Sequence, residues 1–306
     1  MISVVLPAYK AKFLKTALDS VLNQSYSDFE LIVVDDCSPD DIKSIVDEVA
    51  DDRVKYYRNE INIGGRNGLV SAWNHAISYA SGEWLVLASD DDVYGPEFLE
   101  EMVRLRDRYP EVRAVHCRMV ATSEDGAWRW AGCGRPEIES QIEMAHSLVI
   151  RDCQQRVSDF MYHRQTLLDN GGFVDFPLGW YADGATAITM SKFGVACSPK
   201  ILFEWRCSDI NISLKTDNLV QKMEAIEAYK KWLKDKLNDF KPSNKLDELL
   251  LVQLKSKAAE TFWGPIYHFL DQMSLVEWCR CVWKFPYSRN RKLRLIKARL
   301  KKAFKL

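Results

Sequence analysis

Three consecutive carboxylates, Asp90-Asp91-Asp92, follow an apolar run of the chain. Adjacent carboxylates repel one another and add nothing to a hydrophobic core, so they are tolerated where solvent or a divalent cation relieves their charge. A second acidic pair, Asp35-Asp36, follows another apolar run. Acidic residues after two strands of one α/β pattern predict a crevice that suits a nucleotide and a metal ion.

The residue types at these positions suit different parts of a nucleotide ligand. Asp36 could accept a hydrogen bond from a uracil N–H or a ribose hydroxyl. Asp90 could meet the ribose, and Asp91 could meet a metal that also binds the ligand's phosphates. The end of the first apolar run could form a wall of the base pocket with three residues: Pro7, Ala8 and Tyr9.

Apolar runs alternate with helical repeats over the first 110 residues, as a β-α-β-α-β-α-β order requires. We therefore predict an α/β, Rossmann-like fold with a mostly parallel sheet and helices on both faces. The strands are predicted at Ile2–Leu6, Phe29–Val34, Val54–Tyr57 and Trp84–Ala88. A turn is predicted at Asn62-Ile63-Gly64-Gly65, and a helix is predicted over Phe160–Leu168. Beyond residue 213 the pattern is almost wholly helical. The predicted domains are residues 1–215 and a helical C-terminal region at residues 216–306.

Composition indicates a globular chain with an uneven charge. The 306 residues are 47% hydrophobic, and their formal net charge is −1. The eight cysteines show no CxxC pair and no zinc spacing, which favours free thiols in a reducing cytosol. No signal peptide and no apolar run of the roughly 18 residues needed to span a bilayer is expected.

Basic residues are concentrated at the C-terminus. Residues 284–306 contain ten Lys or Arg and no Asp or Glu, whereas the preceding residues carry 32 basic and 43 acidic side chains. As a helix, this tail is predicted to present one apolar face among cations: Leu293, Ile296, Leu300, Ala303 and Phe304. That pattern is typical of a helix lying on an anionic leaflet. A solvated tail is the alternative, and no nucleic-acid partner is predicted.

Several segments together resemble the N-terminal half of family 2 glycosyltransferases. The matching segments are Ser3–Tyr9, Leu18–Ser25, Val33–Ser38, Asn62-Ile63-Gly64, Asn74 with Ala76, Gly82-Glu83, and Ser89-Asp90-Asp91 followed by Pro96. They run in order over residues 2–100, and the resemblance thins over residues 100–215. It implies a GT-A fold, an inverting mechanism, a nucleoside-diphosphate sugar donor such as a UDP-sugar, and Mn²⁺ or Mg²⁺ as cofactor.

The resemblance assigns roles one residue at a time. Asp36 matches the family's base-binding aspartate, and Asp90-Asp91 match its DxD-type pair, with Asp91 as the metal ligand. The aspartate that often precedes this pair is Ala88 here, whereas Asp92 adds a carboxylate after it and is the second candidate ligand. Trp73 stands where an Arg is common, and Arg66 is the substitute that we consider for donor binding.

The general base is expected after the Gly171-Gly172-Phe173 turn, where the family often places Glu-Asp. This chain has Ala182-Asp183, so Asp183 is the candidate catalytic base. A helix N-cap is the alternative for Asp183, as it is for Asp35 and Asp36. Ser208 stands where the family often carries a His.

Two functions of different classes remain open on the sequence. The first is a hexosyltransferase that modifies a saccharide acceptor, expected to be lipid-linked, in bacterial surface polysaccharide synthesis. It would be cytoplasmic and peripheral on the inner face of the cell membrane. The second is an inactive scaffold that binds nucleotide sugars, which the departures at Ala88, Ala182 and Ser208 keep open. Trp128 and Trp130 are predicted to pack rather than to bind a sugar, and Tyr181 suits an acceptor pocket or the core equally.

Overall fold

The computed structural model describes residues 1–209, 211 and 218–304. The boundary that the sequence predicts at residues 215 and 216 lies outside the described residues. The division into two domains therefore stays a prediction.

Ten strands form one sheet within the described residues. They are β1 Ile2–Ala8, β2 Phe29–Asp35, β3 Val54–Arg58, β4 Trp84–Leu87, β5 Val93–Tyr94, β6 Ala114–Thr122, β7 Trp128–Ala131, β8 Ile138–Glu139, β9 Phe160–His163 and β10 Val195–Arg206. Their order is β3-β2-β1-β4-β9-β6-β10-β5, with β7 on β6 and β8 on β10. The four longest ladders, which join β1 to β2 and β4, β2 to β3, and β6 to β10, are parallel. The predicted mostly parallel sheet is confirmed.

Thirteen α-helices accompany the sheet in the described part of the chain. They are α1 Leu14–Leu22, α2 Ile42–Asp47, α3 Ile63–Asn67, α4 Leu69–Ala76, α5 Phe98–Arg108, α6 Gln141–Val149, α7 Arg164–Asp169, α8 Ala182–Met190, α9 Leu219–Asp239, α10 Lys245–Thr261, α11 Trp263–Gln272, α12 Leu275–Lys284 and α13 Arg289–Phe304.

Helices cover both faces of the sheet because successive side chains of a strand point to opposite sides. On β1, Val4 packs in one core with α1 and α5, whereas Val5 packs in another with α4 and α8. Both faces of β1 and β2 are therefore buried, which explains their continuous apolar sequences. The carboxyl ends of β1, β2 and β4 meet at one edge of the sheet.

Two local predictions are wrong. The segment that begins at Asn62 was expected to be a turn, but Asn62 Oδ1 accepts a hydrogen bond from the Gly65 N–H and caps α3. A helix was expected from Phe160, but residues 160–163 form β9 and the helix begins only at Arg164. The apolar, aromatic sequence of β9 fits a central strand, and the pairing of this strand overrides the helical pattern.

The C-terminal helices build a third core together with α6 and α8. Polar contacts join the same elements: Ser140 Oγ donates to Asp247 Oδ1 at 2.5 Å, and His146 Nε2 lies 2.9 Å from Gln253 Oε1. The helical region is thus packed against the helix that carries Asp183.

The basic helix α13 is only partly as predicted. Leu293 and Leu300 are about half exposed, but Leu295 is buried and Ile296 packs against the helical core. The prediction that one apolar face of this helix is free to contact a membrane is therefore wrong at Ile296. The described helices include none that is long and apolar enough to cross a membrane.

Cysteine pairing corrects one further expectation. Cys133 and Cys153 are joined as a disulfide, and the other six cysteines are free thiols. The pair lies 20 residues apart in the chain, so the sequence offered no short-range motif for it.

Candidate active site

The aspartates after β4 are fixed by hydrogen bonds to three different segments. Asp90 Oδ2 accepts from the backbone N–H groups of Tyr9 and Lys10 at 2.9 and 2.8 Å. This joins the end of β4 to the end of β1. Asp90 is 9% exposed, so its carboxylate is largely removed from solvent.

Asp91 is held on both of its oxygens. Ser89 Oγ lies 2.8 Å from Asp91 Oδ1, and Asn211 Nδ2 donates to Asp91 Oδ2 at 3.1 Å. Asn211 Oδ1 in turn accepts from the Ser208 N–H at 2.6 Å. Ser208, where the resemblance leads one to expect a His, therefore takes part in a turn that supports Asp91. Asn211 is a site residue that the sequence analysis missed, because no spacing links it to Asp91 across 120 residues.

Asp92 is directed toward β10 and is 5% exposed. Its Oδ1 accepts from the Arg206 N–H at 2.9 Å, and Ser89 Oγ lies 2.7 Å from its Oδ2. The Ser89 hydroxyl has a single hydrogen and can serve either Asp91 or Asp92, but not both at once. These bonds favour a structural role for Asp92, and metal binding by it stays a prediction.

Burial and mutual repulsion perturb the carboxylates after β4. Burial, with the charge of Asp91 second, raises the pKa of Asp90 to about 6. The same two causes raise the pKa of Asp92 to about 8. Asp92 therefore stays largely protonated at neutral pH unless a cation lies beside it.

The donor set suits a hard divalent cation of the kind predicted, since it consists of carboxylate oxygens. The described residues contain no group of three or more His, Cys, Asp or Glu side chains placed to hold a metal ion. A cation that takes one or two protein carboxylates and completes its shell with phosphate oxygens and water does not require such a group.

Asp36, at the end of β2, binds the start of α3. Its Oδ1 accepts from Asn59 Nδ2 at 2.7 Å and from the Ile63 N–H at 2.8 Å, and its Oδ2 accepts from the Gly64 N–H at 2.7 Å. A Cβ at Gly64 would lie 3.0 Å from Asp36 Oδ2, which explains a glycine there. Asp36 is only 6% exposed, so ligand contact would use its remaining acceptor capacity.

The other predicted donor-binding residues lie at the same edge of the sheet. Pro7 and Ala8 end β1, and Tyr9 follows with a side chain that is 41% exposed. The Ser38 hydroxyl donates to the Tyr9 carbonyl at 2.6 Å. Arg66 is exposed on α3. The structure thus places Tyr9 in direct contact with Asp90. Arg66 is linked to Asp36 only indirectly, because Asp36 binds the first residues of α3 and Arg66 lies farther along that helix.

Asp35 serves the fold. It is fully buried, and its carboxylate accepts from Tyr56 Oη and the Ser38 N–H, both at 2.7 Å. Arg58 forms an ion pair with it from β3. The two neighbouring aspartates therefore differ: Asp35 faces the strand β3, and Asp36 faces the crevice side.

Asp183 lies in the first turn of α8. Its Oδ1 accepts from the Gly184 N–H at 2.7 Å. Burial raises the pKa of this carboxyl group, and the Arg156 cation acts in the opposite direction. A carboxylate with a raised pKa is a stronger proton acceptor, as a general base requires.

Tyr181, just before α8, belongs to the core. Its ring stacks on Tyr229 with centroids 4.6 Å apart. Its backbone φ is +70°, in the left-handed region, which turns the chain sharply into α8. Of the two roles left open by the sequence, packing is the one observed.

A further carboxylate, the fully buried Asp159, lies close to this region, and the sequence did not predict it. It is 1% exposed, its Oδ2 accepts from the Arg156 N–H at 3.0 Å, and its Oδ1 has no hydrogen-bond partner among the described residues. Burial, opposed by Arg156 and reinforced by Asp183, raises the pKa of Asp159 well above its usual range. No local motif marks Asp159, because only the packing of residues 157–159 against α8 brings it near Asp183.

Arg156 links the two halves of the site. Its guanidinium carbon lies 3.9 Å from the centre of the Trp205 ring, next to Arg206, which binds Asp92. Its charge lowers the pKa values of Asp92, Asp159 and Asp183 from what burial alone would give. The site therefore consists of a carboxylate cluster at the strand ends and the partly buried carboxylate of Asp183 on α8, with the Arg156 cation acting on both.

Comparison with known proteins gives a consistent assignment. The profile of glycosyl transferase family 2 matches residues 3–167, more than half of the chain. Among curated relatives, the chain is 33% identical over 106 residues to the Escherichia coli UDP-Glc:alpha-D-GlcNAc-diphosphoundecaprenol beta-1,3-glucosyltransferase WfgD, covering 34% of this chain and 40% of WfgD. It is 39% identical over 94 residues to the Campylobacter jejuni GalNAc(5)-diNAcBac-PP-undecaprenol beta-1,3-glucosyltransferase, covering 30% of this chain and 29% of that protein. The matches thus span less than half of the length of these relatives.

Solved structures agree on the fold. Staphylococcus aureus TarS in complex with UDP-GlcNAc matches with a TM-score of 0.70 at 16% identity, covering 92% of this chain and 79% of that chain. The mannosyltransferase PcManGT of Pyrobaculum calidifontis, in complex with GDP-Man and Mn²⁺, matches with a TM-score of 0.56 at 18% identity, covering 99% and 87%. At such low identity the likeness establishes the fold alone, and it confirms the predicted GT-A fold. With the family profile covering most of the α/β part, the chain belongs to glycosyl transferase family 2.

Proposed function

We propose that this protein transfers a sugar from a nucleoside-diphosphate sugar, most simply a UDP-sugar, to a hydroxyl group of a saccharide, with inversion at the anomeric carbon. The observation that carries the proposal is the position of Arg156 between the two parts of the site. Its guanidinium lies over Trp205, beside Arg206, whose N–H binds Asp92, and the residues that follow it, 157–159, pack against α8, which carries Asp183. An acceptor base and a diphosphate site are the two groups that a direct displacement needs, and they must face the same reacting carbon.

The donor is assigned to the edge formed by β1, β2 and β4. Asp36 and Asp90 would receive N–H or O–H groups of the base and ribose, beside the partly exposed Tyr9 ring. Pro7 and Ala8 would form the wall of that pocket, and Arg66 is the nearby cation on α3. Complexes of fold neighbours with UDP-GlcNAc and with GDP-Man support a nucleotide sugar as donor, although they do not fix the base.

Asp91 would hold Mn²⁺ or Mg²⁺, with Asp90 and Asp92 as the neighbouring carboxylates. When bound, the cation supplies positive charge to the diphosphate oxygens of the leaving group. Asn211 and Ser89 orient Asp91 through its two oxygens, as supporting hydrogen bonds to metal-binding carboxylates generally do.

Asp183 is the proposed general base. Its ionised carboxylate takes the proton of the acceptor hydroxyl as the hydroxyl oxygen bonds to the anomeric carbon. The bond from that carbon to the diphosphate oxygen breaks, and its electron pair leaves with the nucleoside diphosphate. A single displacement of this kind inverts the anomeric configuration.

The acceptor is proposed to be a lipid-linked saccharide of bacterial surface polysaccharide synthesis. Both curated relatives described above are named for undecaprenyl-diphosphate-linked acceptors. Such an acceptor would place the enzyme at the cytoplasmic face of the membrane, where the basic helix α13 is proposed to contact anionic lipid.

The test is release of nucleoside diphosphate from a panel of UDP-, GDP- and dTDP-sugars with Mn²⁺. Asp183→Asn should lower kcat by about 10²- to 10⁴-fold, the usual contribution of a general base. Asp91→Ala should raise the Mn²⁺ concentration needed for half-maximal activity. Asp239→Asn, an exposed carboxylate at the end of α9, is the matched control and should retain wild-type rates.

Two results would contradict the proposal. Full activity of Asp183→Asn would remove the assigned base. Binding of a nucleotide sugar in a thermal-shift assay, without turnover of any donor, would instead support the nucleotide-sugar-binding scaffold.

A further inference from the structure

Two exposed tryptophans lie on β7. Trp128 is 64% exposed and Trp130 is 38% exposed, so the prediction that they pack is wrong. A bulge breaks the strand alternation between them, because Trp130 pairs with Ala121 and Trp128 pairs with its neighbour Thr122. The two rings therefore do not share a face of the strand. Large aromatic surfaces left open next to polar groups are characteristic of binding sites rather than of ordinary protein surface.

Of these two rings, that of Trp130 lies next to the candidate active site. The ring centre of Trp130 lies 6.2 Å from that of Trp205, and the Arg156 guanidinium lies 5.9 Å from Trp130. Trp205 precedes Arg206, whose N–H binds Asp92. The aromatic surface therefore leads directly to the carboxylates after β4.

The order of the sheet separates this surface from the proposed nucleotide pocket. Asp36 follows β2, and β2 lies four strand positions from β6, on which β7 pairs. At about 4.8 Å per strand, this is roughly 19 Å. The carboxylates after β4 lie between the two. A donor bound at β1 and β2 would thus have its sugar end toward β6 and β10.

We propose that Trp130 and Arg156 form a saccharide subsite for the acceptor. This rests on the proposed transferase function and names the site of its second substrate. The C–H face of a pyranose ring would pack on an indole, and the planar guanidinium of Arg156, stacked on Trp205, would donate hydrogen bonds to ring hydroxyls. A nucleobase could also stack on these rings, but the topology places the base some four strands away.

The binding test uses four methyl glycosides as probes, those of glucose, galactose, N-acetylglucosamine and N-acetylgalactosamine, observed by saturation-transfer NMR on the full chain. At least one glycoside should give a signal with the wild type that Trp130→Ala loses. The matched control is Phe193→Ala. Phe193 is 54% exposed and precedes the opposite end of β10, so its replacement should leave the signal unchanged.

A kinetic test separates this proposal from the transferase function. With a soluble saccharide acceptor, Trp130→Ala should raise the acceptor KM at least tenfold, while donor hydrolysis without acceptor and the affinity for UDP stay at wild-type values.

An unchanged acceptor KM with intact transfer would overturn the subsite and leave the function standing. Glycoside binding that depends on Trp130, without any transfer, would uphold the subsite and contradict the function. A loss of UDP affinity in Trp130→Ala would show that the rings bind the nucleobase, and no signal from any glycoside would also overturn the subsite.

Discussion

The aspartates of this site differ in what their surroundings allow them to do. Asp35 is fully paired with its own strand neighbours, whereas Asp90 and Asp92 are buried side by side with Asp91 and have raised pKa values. Asp183 lies apart from this cluster, and the charge of Arg156 opposes the rise that burial causes in its pKa. The same side chain thus serves as a structural anchor, a candidate ligand or a candidate base, according to its burial and neighbours.

The pH dependence of transfer should report on Arg156. A general base must be ionised, so activity falls as the pH drops through the pKa of Asp183. The Arg156 cation lowers that pKa, and Arg156→Gln should therefore raise it and move the acidic limb of the kcat profile to higher pH. Arg156→Lys keeps the charge and should leave the limb in place. A limb that stays put, or moves to lower pH, in Arg156→Gln would contradict the assignment of Asp183.

At the scale of elements, one turn decides how α8 enters the site. Asn74 on α4 holds the turn before α8 with two hydrogen bonds: its Oδ1 accepts from the Phe173 N–H at 2.8 Å, and its Nδ2 donates to the Phe173 carbonyl at 3.1 Å. Gly172 in that turn has φ +85°, and a Cβ there would lie 2.3 Å from Asn74 Oδ1. Asn74 is therefore a structural residue that links the two halves of the α/β region.

Loss of this link should be measurable as a loss of stability. Asn74→Ala removes the hydrogen-bond partners of the Phe173 N–H and of the Phe173 carbonyl. It should therefore lower the free energy of unfolding by about 1–3 kcal/mol. Denaturant unfolding followed by circular dichroism measures the change. Asn170→Ala, an exposed residue at the same turn, is the control and should change stability much less. Equal stabilities of Asn74→Ala and wild type would show that the turn does not depend on the amide.

At the scale of the whole molecule, charge and apolar exposure are both concentrated in the C-terminal helices. Trp283, Leu275 and Val276 on α12 are each more than 60% exposed, and the Lys292 ammonium of α13 lies 5.0 Å from the Trp283 ring centre. Exposed apolar side chains beside cations are the features that anionic bilayers attract. Burial of Leu295 means that α13 also belongs to the core, so removing the helix would test stability and membrane contact together.

Charge reversal on the exposed side of α13 separates the two effects. Arg294→Glu with Lys297→Glu should weaken binding to phosphatidylglycerol vesicles by at least tenfold, because each basic residue near an anionic surface contributes about 1 kcal/mol. Vesicle co-sedimentation measures the affinity, and phosphatidylcholine vesicles provide the neutral comparison. The thermal unfolding midpoint should stay near that of the wild type. Equal binding of wild type and variant to the anionic vesicles would exclude α13 as the contact.

Much of the α/β part could be predicted because its signals are local. Buried parallel strands read as apolar runs, and the acidic residues that follow them must gather at one edge of the sheet. The helical regions also followed from periodicity. The errors at Asn62 and Phe160 arose where a capping side chain or strand pairing overrode a short pattern.

The apolar runs alone place Asp36, Asp90 and Asp91 at the carboxyl ends of parallel strands, and parallel strands bring these ends to one edge of the sheet before any side chain packs. Which residues surround the three aspartates depends on the tertiary structure. Asn211, Arg156 and Asp159 are distant in sequence, and their contacts depend on how β10, α8 and the segment before β9 pack together. Burial set the pKa values in the same way, because desolvation is a property of the folded surroundings and not of the residue type.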